Sequence, residues 1–350
     1  MNKFLAEIYE QPTALSKTLN FYCEGDGKKA LEKIKGICNE KSFEQIVFTG
    51  MGSSYFISFA ASTLFNDLKI NSFVINSSEL LHYNFSLLDK STLMICFSQS
   101  GESFEIKEIL NKISKKVFCV GITNEKDSTL SKKADVTLLS KAGREEMTST
   151  KTYVTGSLVA FILGWALADK WNDQKMGVVE NFIKNFRKDL DNQNHWLDDA
   201  LDFIGDIPAL QIIARGSGYS TALQSGLMFK EALKVPASGI LGGEFRHGPI
   251  EMVQPGFKSI LFAPLGKTYE QSISMANDIA NSGGKVLLIS NTNIDSNNDN
   301  ILNIHMEEQD EFLFSIESII PIELFIDSFA KRKGFKAGSF AIGGKVTMRE

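Results

Sequence analysis

The amino-acid sequence predicts an α/β protein of two tandem, doubly wound parallel-sheet domains related by internal duplication. Three observations predict it. Short apolar, β-rich runs alternate with helical stretches along the whole chain, the pattern of strands joined by crossover helices. The two halves repeat one another: "TGMGSSY" at 49 matches "ARGSGYS" at 214, and "VFCVGITN" at 117 matches "VLLISNTN" at 286, with an offset drifting from about 164 to 169 residues. Each half also carries a small-residue loop directly after its first strand, where an open parallel sheet binds ligands.

In chain order, residues 1–28 form a lead-in. Its start, "MNKFLAEIYEQPTAL", places Glu7 and Glu10 before any long apolar block, so no secretory signal is expected. The first domain, residues 29–170, has strands at 45–50, 72–76, 92–99, 117–123 and 136–140. It closes with "TGSLVAFILGWALA", the most apolar window, which is too short to cross a bilayer comfortably and reads as a buried helix. A polar, helix-periodic connector covers 171–202. The second domain, 203–335, has strands at 210–215, 259–264, 286–292 and 301–306, and a tail covers 336–350.

With 350 residues and 43% hydrophobic content, the chain can bury the cores of two ordinary domains. A net charge of -5 with Lys and Arg scattered gives no electrostatic reason for nucleic acid or an anionic membrane as partner. A small solute is expected instead. Cys23, Cys38, Cys96 and Cys119 form no C-x-x-C pair, and the last two fall in apolar strand runs, so reduced thiols and a cytoplasmic location are expected.

The first-half loops point to a small anion. "GMGSSY" lacks the third glycine and the acidic residue of a dinucleotide fingerprint, and no Walker-type run exists. "SQSGES" follows the strand "LMICF" and precedes a helix, so backbone N–H groups and the hydroxyls of Ser98, Ser100 and Ser103 can surround one phosphate. A lone S-x-S would be an ordinary helix cap. Here Ser53 and Ser54 follow another strand of the same sheet, and "TSTKTY" (148–153) precedes the buried helix. Three such clusters favour phosphate.

The second half offers proton chemistry. In "YSTALQSGLMFKEALKV", Leu223 and Leu227 recur at i and i+4 and the next member of the stripe is Glu231. Glu231 is either a carboxylate set into an apolar face or an exposed edge beside Lys230. A partly desolvated carboxylate has the basicity a carbon-acid proton shuttle needs. "GILGGEFRHGPIEMV" places His247 in a Gly-rich, Pro-bounded turn beside Glu244 and Arg246, where an imidazole suits proton transfer near neutral pH. No spacing among the histidines suggests a metal, and no cofactor is called for.

Together, "SQSGES", "EEMTSTKTY", "FKEAL" and "GGEFRHGP" resemble the motifs of the double sugar isomerase (SIS) domain family, in particular the isomerase half of glucosamine-6-phosphate synthase and relatives without a glutaminase. The likeness runs from "EIYEQP" to "GGKVTMRE". It implies two flavodoxin-like SIS domains. It also implies that Ser53, Ser54, Ser98, Gln99, Ser100 and Ser103 bind a sugar phosphate and that Ser149 contacts the sugar. Glu231 would move a proton between C1 and C2, His247 would open the ring, and Lys345 in the tail would form an imine with an open-chain ketose. The family's homodimer with shared active sites is implied as well.

Two features depart from the synthases. The chain begins "MNKF" rather than with an amidotransferase cysteine, so no glutamine hydrolysis is expected in this polypeptide, and Met228 stands where synthases and deaminases usually carry a lysine. The expected activity is isomerisation or deamination of an amino-substituted hexose 6-phosphate. "GGEFRHGPIEMVQPG" also resembles the turn of fructosamine-6-phosphate deglycases. A non-catalytic sugar-phosphate regulator is the third reading, disfavoured because no DNA-binding segment precedes residue 40 and because three catalytic-type residues would stand idle.

Overall fold

The computed structural model describes residues 1–192, 196–294, 298–338 and 344. The backbone divides into two units, residues 10–183 and residues 1–9 with 184–338. The chain starts with α1 (Lys3–Tyr9), which groups with the second unit.

In the first unit α2 (Gln11–Cys23) and α3 (Gly25–Glu40) lead into β1 (Gln45–Gly50), α4 (Ser53–Asp67), β2 (Ser72–Asn76) and α5 (Ser77–His82). Then come β3 (Thr92–Phe97), α6 (Phe104–Lys112), β4 (Phe118–Thr123), α7 (Thr129–Lys133), β5 (Val136–Leu139) and α8 (Lys151–Leu167). The strands form one parallel sheet in the order β2-β1-β3-β4-β5. β3 and β4 are buried at every residue, because helices cover both faces of an inner parallel strand and leave no position for a polar side chain to reach water. Cys96 and Cys119 lie in this core as free thiols. The apolar window is α8, buried from Lys151 to Ala166. Its Gly156 and Gly164 let α4 approach closely: a Cβ would come within 3.0 Å of Ile57 at the first and 2.7 Å of Phe65 at the second. Contacts that advance in step, 156 with 57 and 164 with 65, mean that α4 and α8 run parallel and start at the same end.

Helix α9 (Asp173–Asp191) crosses the division between the units. The second unit continues with α10 (Leu197–Ile204), β6 (Leu210–Ala214), α11 (Gly218–Met228), a π-helical turn Phe229–Leu233, β7 (Ala237–Leu241) and α12 (Gly242–Arg246). A 3-10 turn at Pro249–Met252, β8 (Lys258–Ala263), α13 (Tyr269–Asn281), β9 (Lys285–Ser290), β10 (Ile301–His305), α14 (Glu311–Glu317) and α15 (Ile319–Arg332) complete it. The parallel order is β7-β6-β8-β9-β10, the same winding as in the first unit. Gly52 and Gly216, matched by the repeat, share a left-handed backbone, with φ of 52° and 55°. The internal duplication is thus visible in topology and in local geometry.

One strand is absent from the sequence expectation. β7, "ASGIL", is an edge strand with Gly239 at its centre, so neither β-propensity nor alternation marks it. Gly239 is required because a Cβ there would lie 2.6 Å from the backbone of Ala222 in α11. The run "SGILGGEFRHGP" is therefore strand and short helix up to Arg246, and only the part from His247 onward is turn.

Candidate functional site

In the first unit the chain leaves β1 toward β2 on one side, while β3 flanks β1 on the other. That reversal is the switch point of the sheet, and ligands of open α/β sheets bind at the carboxyl ends of the strands there. Thr49 pairs with Cys96, so the loops after β1 and β3 leave the sheet side by side. Ser53 and Ser54 open α4, and Ser98 to Ser103 form the second loop. Because α8 runs parallel to α4, Ser149 stands at the same end, one residue before the N-cap of α8. The fold thus brings all the first-half candidates to one end of one unit.

The backbone of both loops is closely constrained. Gly52 turns β1 into α4 with φ 52° and ψ -130°, open only to glycine, and Gly50 lets the first turn of α4 press within 2.8 Å of where a Cβ would be. Gly101, at φ 65°, packs against the Ser128 hydroxyl with no room for a Cβ. Ser98 Oγ accepts the Gly101 N–H at 3.1 Å and sits 3.2 Å from Ser103 Oγ. Ser100 Oγ accepts the Glu102 N–H at 3.2 Å. Gln99 is half-buried, and its carbonyl accepts the Asn124 N–H and the Thr123 hydroxyl, both at 3.1 Å. The only carboxylate in the loop is turned away: Glu102 accepts the backbone N–H and hydroxyl of Thr129, and the first of these bonds holds its carboxyl below the ordinary range. Neither α4 nor α6 receives a side-chain cap, although Ser103 is the N-cap of α6. Their positive dipole ends suit a phosphate; in α4 the N–H groups of Ser54 and Tyr55 are turned onto Met51 O, so the Ser53 N–H and the first turn of α6 are the backbone donors that face outward from the helix ends. Helix α8 differs, because Glu145 bonds its first N–H groups.

The second unit holds the titratable candidates. Glu231 lies in the π-helical turn and is half-buried. The apolar-stripe expectation is corrected on two counts: Leu223 and Leu227 are themselves only half-buried, and beyond Met228 the helix widens, which turns Glu231 off the line of an i, i+4 continuation. Single-turn π segments recur at functional sites. Met228 is fully buried. His247 caps the C-terminus of α12 with its backbone N–H on Glu244 O at 3.0 Å, and its side chain is exposed. Arg246 turns aside to pair with Asp278 at 2.6 Å. Gly248 follows at φ 122°. Lys345 lies outside the described residues.

At the switch point of the second sheet the chemistry has changed. The loop after β8 reads "PLGKTY" in place of the hydroxyl-rich run, and Glu311 of α14 lies against Gly266, where a Cβ would collide with its carboxylate. The Lys267 N–H is 3.5 Å from the same carboxylate.

Sequence reasoning missed two further groups. Glu145 and Thr152 support Ser149; the signal was that "STKTY" opens a long helix with no acidic residue in its first turn, so a cap had to come from outside. Asp189 and Glu317 form a buried carboxyl pair on α9 and α14, beside a cavity of about 330 Å³ lined by His305, Glu307 and Trp196.

Comparison with known proteins agrees with this arrangement. The SIS domain model matches residues 41–164 and 206–331, one match for each sheet. Glutamine--fructose-6-phosphate aminotransferase [isomerizing] of Thermococcus kodakarensis is 29% identical over 348 residues, and that of Pyrococcus horikoshii 30% over 336, each alignment covering 94% of this chain and 55% of the relative. The chain therefore spans about half the length of the curated relatives it matches. Among solved structures, the C-terminal domain of glucosamine-fructose-6-phosphate aminotransferase from Francisella tularensis superposes with a TM-score of 0.86 at 25% identity over 97% of this chain and 98% of that one. Tagatose-6-phosphate ketose/aldose isomerase from Escherichia coli shares the fold, with a TM-score of 0.82 at 18% identity, covering 97% and 96% of the two chains. Two duplicated sheets, each matched by the same domain model, make this chain a member of the SIS domain family.

Proposed function

We propose that the chain is a phosphosugar isomerase of the aldose-ketose or amino-sugar phosphate deaminase type, acting on an amino-substituted hexose 6-phosphate. One observation carries the reading: two helix N-termini without side-chain caps, ringed by hydroxyls and with the loop carboxylate Glu102 held on Thr129, flank the switch point of the first sheet. Ser53, Ser54, Ser98, Gln99, Ser100 and Ser103 are assigned the phosphate, and Ser149 the sugar. Helix α8, already compensated by Glu145, is suited to a neutral part of the ligand rather than to its charge. Glu231 takes a proton from one of C1 and C2 of the open-chain sugar and returns it to the other. His247 exchanges the proton that opens the ring, and Lys345 is the amine for an imine with a ketose. The names of the aminotransferase relatives and of glucosamine-6-phosphate deaminase from Thermotoga maritima, which shares the fold, support the substrate class.

A second reading, a fructosamine-6-phosphate deglycase, is favoured by Met228, whose buried apolar side chain supplies no ammonium one helical turn before Glu231. The deciding experiment incubates the protein separately with glucosamine 6-phosphate, with fructose 6-phosphate plus ammonia, and with fructosamine 6-phosphates, and assays ammonia, amine and hexose phosphate. Ammonia or hexose phosphate interconversion supports the first reading, amine release the second. Binding without turnover of any of them marks a regulator.

A further inference from the structure

The N-terminus of α8 carries a one-way chain of hydrogen bonds that ends on Ser149. Glu145 is buried. Its Oε1 accepts the backbone N–H groups of Thr150 and Thr152, each at 3.0 Å, and the Thr150 hydroxyl at 3.2 Å. Its Oε2 accepts the Thr152 hydroxyl at 2.6 Å. A carboxylate brings no hydrogen of its own, so the single hydrogen of Thr152 Oγ1 is committed to Glu145. Ser149 Oγ lies 2.8 Å from Thr152 Oγ1. Two hydroxyl oxygens this close need a hydrogen between them, and that of Thr152 lies on Glu145, so Ser149 donates and Thr152 accepts. Ser149 Oγ then offers lone pairs alone, and any ligand group that meets it must bring the hydrogen. The segment before Glu145 is tied in place by buried Lys151, which donates to Arg144 O at 2.7 Å and pairs with Glu10 at 2.5 Å.

We propose that Glu145 is a specificity-determining positioning residue: acting through Thr152, it makes Ser149 a hydrogen-bond acceptor and so selects a sugar phosphate with a hydroxyl or amine donor at the position that meets Ser149. The proposal rests on the reading that Ser149 contacts the sugar. A group with lone pairs only, such as a carbonyl, a fluorine or a phosphate oxygen, is disfavoured at this point.

The chain of donors can be reversed without changing its shape. In Glu145→Gln the amide oxygen must take the place of Oε1, where two backbone N–H groups need an acceptor, so the amide NH2 faces Thr152 and donates to it. Thr152 then donates to Ser149, and the Ser149 hydrogen is released toward the ligand. The test measures dissociation constants by calorimetry for fructose 6-phosphate and glucosamine 6-phosphate, and for analogues each with one hydroxyl replaced by fluorine, which cannot donate. In the wild type the analogue altered at the contact position should bind roughly tenfold more weakly than its parent. That penalty should vanish in Glu145→Gln, shrink to about twofold in Thr152→Val and in Ser149→Ala, and return in Thr152→Ser. If Glu145→Gln fails to fold, the Thr152→Val and Thr152→Ser pair carries the test. Fluorine penalties identical in the wild type and all folded variants would overturn the role of Glu145 while leaving the functional reading standing. Failure of the wild type to bind either parent sugar phosphate would overturn the functional reading, and this proposal with it.

Discussion

Ser98 shows how closely binding and local structure are joined in this protein. Its hydroxyl is buried and accepts the Gly101 N–H, while Ser100 does the same for Glu102, so each shapes the loop as well as facing the proposed anion. The Ser98→Ala, Ser100→Ala double variant should therefore raise KM for a hexose 6-phosphate by at least tenfold, with a stability loss of about 1 kcal/mol per lost bond. Steady-state kinetics and urea unfolding measure the two parts. Asp189 gives a prediction for pH. Burial pushes its carboxyl up to about 6, although the Glu307 N–H on Oδ2 at 2.9 Å pulls the other way. Glu317 beside it is pushed well above the ordinary carboxylate range by burial and by the charge of Asp189. A folded-state value above the unfolded one means that the folded protein holds its proton longer. The stability that this proton supplies is full below about pH 4 and is lost as pH rises to about 6. Asp189→Asn does not titrate, so relative to the wild type it should gain about 3 kcal/mol between those limits, as read from urea unfolding across that range. Such residues were only partly legible in the sequence. Ser98 to Ser103 stood out because they sit between an apolar strand and a helix, whereas Asp189 and Glu317 are brought together only by tertiary packing.

At the scale of elements, the backbone of each turn determines which substitutions are tolerated. Gly101→Ala would force a side chain into the left-handed region and against Ser128, and should cost about 2 kcal/mol. Gly36, exposed in α3 with nothing within 4 Å of an added Cβ, should behave in the opposite way. There Gly36→Ala should stabilise by about 0.8 kcal/mol, since it only removes backbone entropy from the unfolded chain. Thermal melts of the two variants give changes of opposite sign if the local geometry is as described. Nine strands could be read from the sequence because their apolar runs are bounded by turn residues. β7 could not, since Gly239 serves the approach of α11 and removes the side chain that would have marked a strand. Glu231 shows the same limit in a helix. Its stripe was counted at α-helical spacing, and the widening after Met228 is a departure that no periodicity in the sequence announces.

For the whole molecule, the duplication was legible because loop sequences that bind or turn at the same place in both halves kept their small residues. The proposed mechanism extends to assembly. If the chain is a homodimer in which His247 of one subunit serves the site containing Glu231 of the other, mixing Glu231→Gln with His247→Asn should restore about a quarter of wild-type activity from two inactive parents. A mixture that exchanges subunits and stays inactive would place both residues in one chain's own site. The lean of Glu311 against Gly266 bears on a different quantity, the number of ligands each polypeptide can take up. Two copies of one binding module would bind two equivalents, but in the second half a tethered carboxylate repels an incoming anion and the serine-rich run after the third-position strand is replaced by "PLGKTY". If the first half holds the ligand as proposed, titration calorimetry should accordingly saturate at one phosphosugar per polypeptide.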